Sequence, residues 1–205
     1  AFFLAGGPGS GKSYVVKKST GGTGLKIVNS DDVFEKYLKQ AKLDFKMDAN
    51  QGKQRDVLRT KAKKVTAKRK DNYLEGRLGL VIDGTGKDYG KISSQAAGLQ
   101  QLGYDVHMIF VNTTLEVALQ RNKERDRTVP EKIAIDSWKQ VQSNVGKLQS
   151  LFGPKNFIIV DNDMPDTDGK LFDHVFLKVK KLLTRKVDNY LAKAWMAKEL
   201  RLKQR

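Results

Sequence analysis

The sequence predicts an α/β fold: a doubly wound, mainly parallel sheet of five strands, with helices on both faces and a basic helical extension at the C-terminus. Three observations predict it. Short apolar runs, such as Phe2 to Ala5 and Phe157 to Val160, alternate with longer amphipathic stretches. The runs are continuous rather than alternating, as expected of strands buried on both faces. A glycine-rich turn joins the first run to the first amphipathic stretch.

The elements follow in order. Phe2 to Ala5 reads as the first strand and Lys12 to Thr20 as the helix that leaves the glycine turn. Leu25 to Asn29 reads as the second strand, followed by helical stretches at Asp32 to Lys42 and Gln54 to Leu74. The third strand is Leu78 to Asp83, with a helix at Gly90 to Leu102; Gly103 then punctuates the chain before the fourth strand, Asp105 to Val111. Helices at Thr114 to Asn122 and Pro130 to Leu151 lead to Gly153-Pro154 and the fifth strand, Asn156 to Val160. A polar loop and two basic helical stretches, near Leu171 to Leu183 and Arg185 to Lys203, close the chain. The expected division is a kinase-like domain over 1–165 and a helical extension over 166–205.

Composition bounds the function. The chain has 205 residues, 39% hydrophobic and 30% charged, enough to bury a core. With no Cys there is no disulfide framework, thiolate zinc site or cysteine nucleophile. No apolar run is long enough to span a bilayer, and no signal peptide is expected because Phe2 to Ala5 lead straight into glycines. The net charge of +16 favours a polyanionic partner. It is concentrated: Lys53 to Lys70 and Phe176 to Arg205 each carry a net +8. These stretches are either solvated helix faces or phosphate-tracking surfaces beside a site.

Gly6-Gly7-Pro8-Gly9-Ser10-Gly11-Lys12-Ser13 fits G-x-x-x-x-G-K-[ST] between a strand and a helix. Glycines let backbone amides curl around a phosphate, and the helix N-terminus adds its positive end. Lys12 can reach the β- and γ-phosphates, and the Ser13 hydroxyl can ligate Mg²⁺. Asn29-Ser30-Asp31-Asp32 and Asp83-Gly84-Thr85 end the second and third strands, so both open into the crevice at the strands' C-terminal ends. There Asp31 can accept and orient the proton of an attacking hydroxyl, or one of the two Asp residues can cap the next helix. Asp83, with Thr85, can hold Mg²⁺ through water or position an acceptor, or serve only as a turn residue. Arg121, Arg125 and Arg127 lie in a polar stretch over about 121–130 and suit a lid that meets transferring phosphate. His107, His174, Trp138 and Trp195 read as structural.

This order of motifs resembles the bacteriophage polynucleotide kinase family. It is also similar to zeta-toxin-like kinases and to phage kinases acting on hydroxymethyluracil in DNA, over roughly residues 1 to 162. The resemblance implies that the P-loop binds ATP with Mg²⁺, that Lys12 and Ser13 hold the phosphates and the metal, that Asp31 is the general base and that Arg125 is the lid arginine. Arg121 and Arg127 then lie on the nucleotide, and Asp32, Asp83 and Thr85 on the acceptor. Polynucleotide kinases carry an Arg where Phe34 stands here, and their lid is one residue longer. No phosphatase domain is expected, and the expected compartment is cytoplasmic, a host's cytoplasm if the chain is phage-encoded.

The acceptor is expected to be a nucleic acid, DNA ahead of RNA, presenting a 5′-OH or a base hydroxymethyl group. Lys63, Lys64 and Arg69 would then border it from the helix between the second and third strands, and no membrane partner is expected. Two alternatives stay open: a kinase of a nucleotide sugar or other small molecule, and a non-catalytic ATP-gated binding module.

Overall fold

A computed structural model of the chain describes residues 1–45, 52–125, 127–164, 166 and 168–204. Asp126 of the expected lid, Pro165 at the expected domain boundary and Arg205 of the basic tail lie outside the described residues. Five strands, β1 (Phe2–Ala5), β2 (Lys26–Val28), β3 (Leu80–Asp83), β4 (His107–Asn112) and β5 (Phe157–Asp161), form one sheet in the order β2-β3-β1-β4-β5. Every pairing is parallel, and β1 sits at the centre with Leu4 opposite both Asp83 and Ile109. That register sets the ends of β1 and β3 side by side, so the P-loop and Asp83 open into one crevice.

Among the described residues the α-helices are α1 (Lys12–Thr20), α2 (Ser30–Gln40), α3 (Gly52–Glu75), α4 (Tyr89–Gln101), α5 (Leu115–Lys123), α6 (Glu131–Phe152), α7 (Lys170–Leu183) and α8 (Tyr190–Lys203). Alternate residues of the central strands feed two cores. Phe3, Ala5, Met108 and Phe110 pack under α4 and α6, against Ile92, Leu99, Val141 and Leu148. Phe2, Leu4, Ile109 and Val111 pack under α1 and α7, against Val15, Val16, Phe172 and Val179. Two-sided burial is therefore the reason the strands read as unbroken apolar runs. Only the outer strands break the pattern, with Ile27 and Ile159 about half exposed. α7, which the sequence assigns to the extension, thus supplies part of the second core. By contrast, α8 buries no residue; Trp195 meets the Arg77 guanidinium at 5.8 Å, and Ala192 lies against Gly103.

Polar caps move several boundaries from their expected places. Asn29, not Asp31 or Asp32, caps α2, its side chain accepting from the Asp31 amide, so the helix begins at Ser30. Asn189 caps α8 by accepting from Leu191 and Ala192, which starts that helix at Tyr190 rather than Arg185. Thr114 caps α5, which starts at Leu115 and runs on to Lys123. Tyr73, Tyr89 and Tyr104 pack on the first core, and the Tyr104 hydroxyl donates to the Leu78 carbonyl at 3.0 Å. Among the described residues no helix is long and apolar enough to cross a membrane.

Candidate active site

The P-loop is braced from three sides. Its Gly6 amide donates to the Thr85 carbonyl at 2.9 Å, so Thr85 works through its backbone. Gly9 has φ +79°, and a Cβ there would stand 2.0 Å from the Ala118 carbonyl oxygen on α5. Gly11 has φ +81° and touches the Asn162 amide, which donates to the Ser10 carbonyl at 2.8 Å. These are positions only glycine fills without strain. The Trp138 ring covers Gly7, while its indole N–H donates to the Thr113 carbonyl at 2.9 Å. Gly11 supplies no capping side chain to α1, so the Lys12 and Ser13 amides are available to an anion at the loop. The Lys12 ammonium folds back over the loop and donates to the Gly6 and Gly7 carbonyls at 2.7 and 2.9 Å. Ser13 is exposed beside it, and the buried Ser10 hydroxyl has no partner among the described residues.

Asp31 lies in the first turn of α2 between two guanidiniums. Arg127 donates from Nη2 to Oδ2 at 2.8 Å and reaches Glu35 through Nη1 at 3.4 Å. Arg59, from α3, pairs with Oδ1 at 3.5 Å and stands over the Phe34 ring at 4.6 Å. The Arg127 side chain is 15% exposed, against 43% for Asp31 and 39% for Arg59. Arg125 is exposed, with its charge bearing on both Lys12 and Asp31. The lid itself is clamped at its root. Buried Asn122 donates to the Val129 carbonyl at 2.7 Å and accepts from the Val129 amide at 3.1 Å.

Arg121 is a correction to the expected lid. It lies on α5, and its guanidinium donates to the Asn162 and Asp163 carbonyls at 2.5 and 3.2 Å. It therefore holds the chain after β5, which in turn holds the P-loop through Asn162. Lys63, Lys64 and Arg69 are not brought to Asp31 either. They are exposed on α3, about one turn (Lys63, Lys64) and about three turns (Arg69) beyond Arg59.

The electrostatics couple these groups. Burial pulls Lys12 down to about 8, against the attraction of Asp83. Burial pushes Asp83 up to about 6, although Lys12 opposes this. Asp31 is raised by burial but pulled further the other way by the Arg127 hydrogen bond and by the charges of Arg127, Arg59 and Arg125, so it stays below the usual carboxylate range. Asp32 is pushed up by burial and by Asp31, and accepts from the Asn29 amide group at 3.3 Å. Perturbed groups gathered at one strand-end crevice mark a chemical site. Beside Asp31, between α2 and the lid, a cavity of about 400 Å³ is lined by Glu35, Lys39, Phe45, Glu124, Arg125 and Arg127.

Three supporting residues have no site role in the sequence reading: Asn122, Trp138 and Asn162. Asn162 had a signal, since it follows a strand end in the same crevice as Asp83. Arg59 falls in the basic stretch Lys53 to Lys70 that the sequence offers as a phosphate-tracking face; its contact with Asp31 comes only from the packing of α3 on α2.

A family model described as Zeta toxin matches residues 1–170. No curated protein matches the sequence. The fold is similar to a gluconokinase from Sinorhizobium meliloti 1021, at TM-score 0.55 and 11% identity over 89% of this chain and 92% of that one. It is similar to a chain of the Pnkp1/Rnl/Hen1 RNA repair complex, at TM-score 0.54 and 18% identity over 71% of this chain and 45% of that one. A third similar structure is AvrRxo1-ORF1:-ORF2 with ATP, at TM-score 0.57 and 15% identity over 85% of this chain and 62% of that one.

Proposed function

The chain belongs to the zeta toxin family and is a kinase with a hydroxyl acceptor; from there we propose that it transfers the γ-phosphoryl group of ATP to a hydroxyl of a nucleic acid, with Asp31 as general base. The observation that carries the proposal is the place of Asp31, beside the P-loop and ion-paired to Arg127 and Arg59. The acceptor hydroxyl donates its proton to Asp31 as its oxygen bonds to the γ-phosphorus. The bond from that phosphorus to the β,γ-bridging oxygen breaks, and ADP leaves. Lys12 and the loop amides take the charge on the β- and γ-phosphates, and Arg125 meets the transferring group. Ser13 fits a Mg²⁺ site by its place next to Lys12; the metal would neutralise phosphate charge there. Asp32 and Asp83 flank the acceptor side. Because its arginines keep Asp31 ionised, it serves first to orient the hydroxyl and takes the proton late, when bonding to phosphorus has acidified it.

The net charge of +16 supports a nucleic-acid acceptor. A second reading, a nucleotide sugar or similar phosphorylated small molecule, is favoured by the cavity of about 400 Å³ beside Asp31, a size that suits a compact ligand. Transfer of labelled γ-phosphate decides between them, using 5′-OH DNA, 5′-OH RNA, DNA containing hydroxymethyluracil, and a nucleotide-sugar mixture. Label on nucleic acid, falling steeply with salt, is the expected result. Neutralising Lys63, Lys64, Lys68 and Arg69 together should flatten that salt dependence. Asp31→Asn should lower transfer by about 10²–10⁴-fold while ATP still binds, and Lys12→Ala should abolish it. Label only on the sugar nucleotide would establish the second reading. ATP binding with no transfer to anything would leave an ATP-gated binding module.

A further inference from the structure

Arg59 has a setting that reaches beyond its pairing with Asp31. α3 carries it to the site, and its guanidinium stands over the buried Phe34 ring at 4.6 Å. Stacking of this kind holds an arginine in place before any ligand arrives, so less entropy is lost on binding. Its neighbour Arg55 also lies over Phe34, at 5.9 Å, but donates to the Asp44 and Phe45 carbonyls and is buried. Arg59 instead keeps 39% of its side chain exposed, beside Asp31. Its ion pair with Asp31 is 3.5 Å long, while Arg127 already holds the same carboxylate with a 2.8 Å hydrogen bond. A half-exposed pair of that length adds little orientation or stability. The planar guanidinium has five donors and matches the two oxygens of a phosphate.

We propose that Arg59, seated on Phe34, grips the acceptor's phosphate next to the hydroxyl that Asp31 orients. The enzyme then selects acceptors that already carry a phosphate beside the reacting hydroxyl. This assignment rests on the nucleic-acid reading above. Lys39, Arg125 and Arg127 share the wall of the adjoining cavity with Glu35 and Glu124, which leaves that lining net positive.

The test uses two trinucleotides with 5-hydroxymethyldeoxyuridine at the 5′ end followed by two thymidines. Both the 5′-OH and the hydroxymethyl group then lie near the first linkage. One probe has an ordinary phosphodiester there and the other a neutral methylphosphonate. The wild-type kcat/KM should favour the charged linkage by about tenfold to a hundredfold, the range for a charge-assisted hydrogen bond. Arg59→Gln should bring that ratio to about one, and Arg59→Lys should fall between, with folding of both checked by melting. If Arg59→Gln does not fold, the ratio for Arg59→Lys decides. An unchanged ratio in the variant, whatever happens to the overall rate, would mean that Arg59 acts only through Asp31 and would overturn the assignment. A wild type that ignores the charge of the linkage would overturn it as well. Label on neither probe would overturn the nucleic-acid reading first, and Arg59's part in it with that reading.

Discussion

Lys12 is placed for phosphate at a cost to the folded chain. Burial lowers it to about 8, while the unfolded chain keeps that proton up to about 10.5. Between these values the unfolded state binds more protons, so this group makes stability rise with pH there; below pH 8 the cost stands in full. Lys12→Met should therefore melt higher than wild type at pH 7, by about 2–4 °C for each kcal/mol relieved. The gap should close between pH 8 and 10.5, as followed by melting across that range. The same variant should lose the thermal shift that ATP gives the wild type. A variant that melts lower at pH 7 would show that the bonds to the Gly6 and Gly7 carbonyls outweigh burial. Asp83 shows the reverse: burial raises its carboxyl to about 6, so its ionised form weakens the fold above that pH. Strain of this kind at a strand-end crevice is the residue-scale mark of a working site.

At the scale of elements, the lid is a loop fixed at both ends by one side chain. Asn122 closes it by bonding both backbone groups of Val129, and this fixes where Arg125 and Arg127 emerge between α5 and α6. The P-loop is handled in the same manner, by Asn162 from beyond β5 and by Arg121 behind it. Asn122→Ala should leave buried backbone groups unpaired at about 1–3 kcal/mol, a fall in melting of several degrees. Its kcat should drop with little change in ATP affinity, because the arginines lose their positions while the phosphate cradle stays intact. Steady-state kinetics with an ATP-binding titration separate the two effects. An unaltered kcat would show that the lid needs no clamp.

Taken as a whole, the molecule is a three-layer sandwich with one loosely attached helix. α7 completes the second core through Phe172, Val175 and Val179, whereas α8 buries no residue. Removal of 184–205 should leave the melting midpoint within a few degrees, whereas Phe172→Ala should cost about 3–5 kcal/mol. Calorimetry of the two variants tests the contrast. Equal losses would make α8 part of the core. The basic charge is spread in the same divided way, on α3 beyond the site and on α7 and α8. In the proposed nucleic-acid reading this charge acts on the partner mainly through the long-range field, and Arg59, Arg125 and Arg127 act at short range.

By itself the sequence determined the fold and the phosphate cradle. Both are local: strands buried on two faces must be continuously apolar, and a phosphate loop needs its glycines, lysine and serine within one turn of chain. It also placed Asp31 and Asp83 correctly in one crevice, because parallel strands all deliver their C-terminal ends to the same edge. Tertiary structure alone decided which cations reach Asp31. The charge arrives from Arg59, whose helix packs across α2 and whose guanidinium stands over Phe34. It likewise moved Arg121 from the lid to a brace and brought Asn162 to the P-loop. Such partners are far apart in the chain, and the bonds that join them depend on helix packing and on caps such as Thr114 and Asn29. No spacing in the sequence encodes that geometry; it exists only once the layers have closed.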